Sequence, residues 1–79
     1  MFIRLNSIQD VKDFVTVTSS FKENLELHSG IYIVDAKSIM GVLSLDLSQP
    51  VNLVGANELK DEEKEKLERF ETKEVRIMN

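Results

Sequence analysis

The sequence contains no cysteine. Neither a disulfide framework nor a thiolate metal site is therefore possible, and the absence suits a reducing cytosol, so we expect a cytoplasmic protein. No apolar run is long enough to span a membrane, and Met1–Leu5 is too short for the hydrophobic part of a signal peptide. Cationic side chains are also few, because 10 lysines and arginines face 14 acids and leave a formal net charge of −4. A nucleic-acid binder needs a basic face, so the charge favours soluble protein partners.

The chain has 79 residues, which predicts a single domain over residues 1–79. A core of this size typically supplies about 3–5 kcal/mol of net stability, and it leaves no room for an elaborate catalytic cavity. The sequence has no glycine-rich phosphate loop, no Walker motif and no zinc-ligand spacing. We therefore expect a protein that is not an enzyme and that holds no metal and no cofactor.

The first half of the chain predicts a strand, a helix and a hairpin. Phe2–Leu5 is short and β-prone, and Ser7 is a plausible N-cap for a helix beginning at Ile8. The apolar spacing from Ile8 to Thr18 favours this helix, although Val-Thr-Val-Thr near its end favours a strand by propensity. Leu25–His28 and Ile31–Val34 alternate on either side of Ser29-Gly30, which is typical of a β-hairpin.

The second half predicts a short helix, a strand and a long helix. Ser38 can cap a helix by accepting the backbone N–H of Met40 or Gly41, and Val51–Val54 reads as a strand. Glu58–Thr72 is made of strong helix formers with a thin apolar stripe, so we expect a helix lying on the surface of the sheet. Its stripe consists of Leu59, Leu67 and Phe70.

The order of these elements predicts an α+β fold with two layers, in which helices cover one face of a four-stranded antiparallel sheet. For residues 73–79 we expect either a mobile segment or an additional C-terminal segment. Within them, Glu74–Asn79 suits either a strand or a helical extension.

The short helix after Ser38 carries more apolar side chains than one face can bury. Ile39, Met40, Val42 and Leu43 cover two sides of it, so we expect Met40 and Leu43 to be exposed as a surface patch. Methionine adapts its shape and often lies at interfaces, which favours binding of a partner. The alternative is a buried helix.

The run Lys37–Leu45, Lys-Ser-Ile-Met-Gly-Val-Leu-Ser-Leu, resembles the most recognisable segment of HPr, the histidine-containing phosphocarrier of the bacterial sugar phosphotransferase system. Order and spacing of the elements agree with that family over about Met1–Arg69. The resemblance implies an open-faced sandwich with βαββαβα order. It also implies that Ser38 is a regulatory phosphorylation site and that the apolar residues after it contact partners, here Ile39, Met40 and Leu43.

The same resemblance shows a gap at the phosphoacceptor. The family carries Gly-Ile/Leu-His-Ala-Arg-Pro at the start of its first helix, where this chain has Ser-Ile-Gln-Asp-Val-Lys. Gln9 stands in place of the histidine, Val11 in place of the arginine and Lys12 in place of the proline. An amide cannot serve as the phosphoacceptor, so we expect the carrier chemistry to be lost and no catalytic residue to be present.

Two side chains leave a choice between a functional and a structural role. His28, the single histidine, is either a relocated phosphoacceptor or lone metal ligand, or a solvent-facing strand residue beside Glu26; we favour the strand residue. Ser38 is either an ordinary helix cap or a phosphorylation site, where Lys37 and Lys12 could supply cationic contacts to the phosphate.

The resulting hypothesis is a non-catalytic HPr-like regulatory protein that docks on protein partners through the Ser38 helix and is switched by phosphorylation of Ser38. HPr kinase and a transcriptional repressor are the partners that the resemblance implies, with no direct contact to nucleic acid or membrane. One alternative is a degenerate HPr-fold structural or dimerisation domain, either a monomer or a weak homodimer. A second alternative is a phosphocarrier of the sugar phosphotransferase system.

Overall fold

The computed structural model describes residues 1–73, which form an α+β fold with five strands and three α-helices. Residues 74–79, for which the sequence leaves strand and helix open, lie outside the described residues. The elements are β1 (Phe2–Ile3), α1 (Ile8–Ser19), β2 (Glu26–Ser29), β3 (Tyr32–Asp35), α2 (Ile39–Leu43), β4 (Val51–Val54), α3 (Asp61–Glu65) and β5 (Glu71–Thr72). Short 3₁₀ helices occupy Ala56–Glu58 and Glu68–Phe70.

The sheet is antiparallel, with the strand order β3-β2-β4-β1-β5. The expected number of four strands is wrong, because β5 pairs with β1 and adds a fifth. Phe2 lies opposite Thr72, and Ile3 lies opposite Glu71. Two residues are too few to show a strand period, so this pairing leaves no signal in the sequence.

The core lies against one face of the sheet. Side chains alternate between the two faces of a strand, and the inward ones, such as Leu27 and Leu53, are fully buried. Val11 and Phe14 of α1 and Val42 of α2 belong to the same buried cluster. The expected two-layer α+β arrangement of helix on sheet is therefore present in residues 1–73.

The helix α1 forms as expected, despite its β-branched run. The Ser7 hydroxyl accepts the N–H of Asp10 at 3.0 Å, and the Asp10 carboxylate accepts the N–H of Asn6 at 3.0 Å. These two bonds resemble a capping box and stabilise the first turn of the helix. Near its end, Thr18 is fully buried and its hydroxyl donates to the Ala36 carbonyl at 2.8 Å. Burial of this face stabilises the helix against the strand propensity of the segment.

The hairpin is present, but its turn lies one residue later than expected. Ser29 pairs with Tyr32, so the loop consists of Gly30 and Ile31. Gly30 adopts a φ of +60°, a left-handed conformation that glycine reaches without strain. Leu25 and Leu27 share the buried face, as their alternation predicts.

The prediction of one long helix over Glu58–Thr72 is wrong. Only Asp61–Glu65 is α-helical, and this helix buries none of its residues. Leu59, Leu67 and Phe70 are buried, but they lie in the segments on either side of α3. Burying these three side chains and pairing β5 with β1 outweigh the helix propensity of the charged residues, which is worth only a few tenths of a kcal/mol for each residue.

Candidate functional site

Ser38 caps α2, as the sequence predicts. Its backbone is extended, with φ −103° and ψ 114°, and its hydroxyl accepts the N–H of Gly41 at 3.1 Å. Its carbonyl accepts the N–H of Val42 at 2.9 Å. The hydroxyl therefore has a structural role in the unmodified protein, and its side chain is only partly exposed.

Gly41 holds α2 close to β3. A Cβ at this position would lie 3.3 Å from the Ser38 hydroxyl and 3.3 Å from Cβ of Val34, which is tighter than most real contacts. The absence of a side chain lets the helix pack against the strand while Ser38 keeps its capping bond. The orientation of the exposed side of α2 therefore depends on this glycine.

One side of α2 is exposed and apolar. Met40 is 75% exposed and Leu43 is 41% exposed, as expected, whereas Val42 is fully buried. Ile8, which the helical spacing assigns to the apolar stripe of α1, is instead 65% exposed, because it lies at the first position of the helix and beyond the core. We call Ile8, Ile39, Met40 and Leu43 the helix patch.

A surface cleft of about 440 Å³ connects α1 to α2. The side chains of Ile8 and Leu43 both line it, which joins the α1 and α2 parts of the helix patch. The remaining lining residues come from the segment before α1, from α1 itself and from the loop before β4, namely Arg4, Leu5, Asn6, Ser7, Val11, Leu47 and Ser48.

Arg4 is the cation of this cleft, and the sequence alone did not single it out. Its guanidinium donates to the carbonyl of Ser48 at 3.4 Å and to the side-chain oxygen of Asn6 at 3.3 Å. Ser48 is itself held by Asp46, which accepts both its hydroxyl, at 2.6 Å, and its N–H, at 3.1 Å. Both bonds lower the pKa of the Asp46 carboxyl below its ordinary value, and the bond from the Ser48 hydroxyl has the larger effect.

Of the two lysines expected beside Ser38, Lys37 makes its hydrogen bond elsewhere. The Lys37 ammonium donates to the carbonyl of Phe21 at 2.7 Å, in the connector after α1. Lys12 is exposed on α1, one turn after Ile8. Lys12 therefore lies beside the helix patch by its position on α1, whereas Lys37 ties α2 to the end of α1.

Gln9, which the resemblance predicts to replace a phosphoacceptor histidine, is exposed in the first turn of α1. Its side-chain amide donates to Asp13 at 2.9 Å, and Arg69 donates to the other carboxylate oxygen of Asp13 at 2.8 Å. This arrangement is a surface network that ties the C-terminal segment to α1.

His28 lies on the sheet face opposite the core. Its Nε2 is 2.9 Å from a carboxylate oxygen of Glu26, two residues earlier on the same strand. The expected strand histidine beside Glu26 is confirmed. Within residues 1–73, no group of three or more histidine, cysteine or acidic side chains is placed to hold a metal ion.

None of the helices in the described part of the chain has the length and apolar character needed to cross a membrane. No protein-family model, curated protein or solved structure matches this chain.

Proposed function

We propose that this chain is a non-catalytic, HPr-like docking protein of the cytoplasm that binds protein partners through the helix patch. The observation that carries the proposal is the 75% exposure of Met40 on a five-residue helix that also buries Val42. Ile8 and Leu43 extend this exposed apolar surface along the cleft. Covering an apolar surface of this kind with a partner lowers the free energy of the complex. The same side chains contribute little to the stability of the free protein, because folding leaves them exposed.

Two features support the HPr-like interpretation. Strand, helix, two strands, helix, strand and helix follow one another from β1 to α3, in the order that the resemblance implies. Ser38 caps the helix that carries Met40 and Leu43, which is the arrangement implied by the Lys37–Leu45 segment. The fifth strand and Gln9 are departures from the family, and Gln9 is the reason for proposing a docking role instead of a carrier role.

We further propose that phosphorylation of Ser38 by HPr kinase switches the docking surface toward a transcriptional repressor. A phosphate would add about −1.5 to −2 charges directly before Ile39 and Met40. The nearest cation along the chain, Lys37, is bonded to the Phe21 carbonyl. The main effect of the phosphate is therefore a change in the charge of the helix patch, with the fold retained.

The first experiment measures intact mass after incubation with HPr kinase and ATP. The wild-type chain is expected to gain one phosphoryl group. Ser38→Ala and Ser38→Asn should both gain none, and Ser38→Asn is the matched control because its side chain can still cap α2, whereas Ser38→Ala loses about 1 kcal/mol of helix stability. No gain in the wild type, or a gain that survives both substitutions, would reject Ser38 as the switch.

A second experiment tests docking independently of phosphorylation. Met40→Lys puts a charge in the centre of the helix patch and should abolish binding to the repressor, measured by calorimetry with the phosphorylated and unphosphorylated chains. Ile33→Lys makes the same chemical change at an exposed apolar residue of β3, away from the patch, and should leave binding intact. Equal effects of the two substitutions would contradict docking through the helix patch.

A further inference from the structure

The outer edge of β3 is apolar and lacks the features that usually prevent an edge strand from pairing with another chain. Ile31 is 89% exposed, Tyr32 is 66% exposed and Ile33 is 58% exposed, so three consecutive large side chains face solvent at one end of the sheet. Natural edge strands are usually protected by lysine, proline or a bulge, because an open edge pairs with other strands. Tyr32–Asp35 contains none of these, and its one charged residue is at its end.

The backbone of β3 is free to pair on this side. Among the described residues β3 pairs only with β2, and Ser29 opposite Tyr32 closes the two-residue hairpin. In an antiparallel ladder successive residues point their N–H and C=O groups to alternate sides, so Ile33 directs both groups away from β2. Asp35 directs its N–H the same way, while its carbonyl accepts the N–H of Ser38 at 3.1 Å.

The edge is accessible at the hairpin end of β3, where Tyr32 and Ile33 are exposed. Ile33, Val34 and Asp35 also line a surface cleft of about 360 Å³, which they share with Glu26 of β2. Unpaired backbone donors and acceptors flanked by apolar side chains fit an extended strand, whose own backbone completes the ladder. A folded helix would leave those groups unpaired, because its own backbone groups are already bonded within the helix.

We propose that the strand which pairs with this edge is β3 of a second copy of the chain, so that two sheets join into one across a two-fold axis. An antiparallel pairing centred on Ile33 makes the edge self-complementary. Ile33 then faces its own copy with reciprocal N–H to C=O bonds, and Tyr32 faces Val34. No charged side chain lies directly opposite a like charge in this register, which removes the usual penalty for pairing a strand with itself.

The net charge of −4 on each chain opposes this association over longer distances. The dimer should therefore be weak at low salt and should strengthen as salt screens the repulsion. This dependence distinguishes it from an association held by ion pairs, which salt weakens.

Sedimentation equilibrium of the full chain over a wide concentration range tests the proposal. Ile33→Lys should raise the dimer dissociation constant by about tenfold or more, because two isoleucines lose burial and two like charges face each other. Met40→Lys is the matched control and should leave the dimer unchanged, because the helix patch is not part of this interface. This is the reverse of the pattern expected for repressor binding, so failure of one proposal leaves the other standing.

Amide hydrogen exchange of the wild-type chain gives a second readout that needs no variant. The N–H of Ile33 should exchange more slowly as protein concentration rises, whereas the N–H of Tyr32, already paired to β2, should not change. A monomer at every concentration, a dimer insensitive to Ile33→Lys, or a dimer that Met40→Lys also dissociates would each overturn the proposal.

Discussion

Replacement of Gly55 by alanine should be among the most destabilising single substitutions in this chain. Gly55 follows β4 and adopts φ +101° and ψ −5°, a left-handed conformation that costs an L-residue about 1–2 kcal/mol. A Cβ at this position would also lie 2.7 Å from the carbonyl oxygen of Asn24. That atom belongs to the backbone, so the contact is relieved only by moving the chain, at a cost of about 1–3 kcal/mol.

The net effect of Gly55→Ala follows from these two costs and one opposing gain. Alanine reduces the conformational freedom of the unfolded chain and so returns about 0.4–1 kcal/mol. We therefore expect the free energy of unfolding to fall by about 2–4 kcal/mol, against a total of about 3–5 kcal/mol for a core of this size. The variant should be partly unfolded at room temperature.

Gly30→Ala is the matched control. Gly30 is also left-handed, with φ +60°, but a Cβ there would have no atom within 4 Å. Only the conformational cost remains, and the entropy gain offsets part of it, so we expect a loss of about 1 kcal/mol or less. The difference between the two variants isolates the contact with Asn24.

Urea unfolding followed by far-UV circular dichroism measures both variants, since the chain has no tryptophan to serve as a fluorescence probe. The midpoint should fall much further for Gly55→Ala than for Gly30→Ala, with similar slopes. Equal losses in the two variants would refute the argument that the approach of Gly55 to the Asn24 carbonyl constrains the fold.

Two further predictions concern single hydrogen bonds. Thr18→Val should lower the free energy of unfolding by about 1–3 kcal/mol, because the buried Ala36 carbonyl loses its hydroxyl donor. Thr18→Ser keeps that donor and should lower the free energy of unfolding by only about 1 kcal/mol. Thermal unfolding measures both variants, and a smaller loss for Thr18→Val than for Thr18→Ser would contradict the role of this hydrogen bond. Ser48→Ala should raise the pKa of Asp46 toward its ordinary value in an NMR titration, and an unchanged pKa would contradict the assigned cause. Because that pKa is depressed in the folded state, the Asp46 carboxylate stabilises the fold above its unfolded-state pKa, and the contribution is lost as pH falls through the folded-state value.

Local features of the fold could be predicted from the sequence because they depend on neighbours in the chain. The N-caps Ser7 and Ser38 use hydroxyls three residues before the N–H groups that they accept. The hairpin, β4 and the face that Leu25 and Leu27 share follow from a period of two. The exposure of Met40 and Leu43 was predictable for a similar reason, since a five-residue helix has only one side to bury.

The candidate site was predictable only in part. Its α2 side follows from the segment after Ser38, but the cleft combines Arg4, Ile8 and Ser48, which are far apart in the chain. Ile8 belongs to the apolar spacing that predicts α1, whereas its place at the first position of α1 leaves it exposed beside Leu43. No local pattern contains this information, because the approach of α1 to α2 is set by packing of the core.

The sequence by itself determined the α+β class, the order of the elements from β1 to β4, the caps of α1 and α2 and the absence of a histidine at the start of α1. The tertiary structure decided the fate of Glu58–Thr72, whose composition favours one continuous helix. Burial of Leu67 and Phe70 in the core and the pairing of β5 with β1 limit α3 to five residues there. The physical reason is that helix propensity amounts to tenths of a kcal/mol for each residue, whereas each buried large side chain contributes about 1.5–3 kcal/mol and depends on contacts distant in sequence.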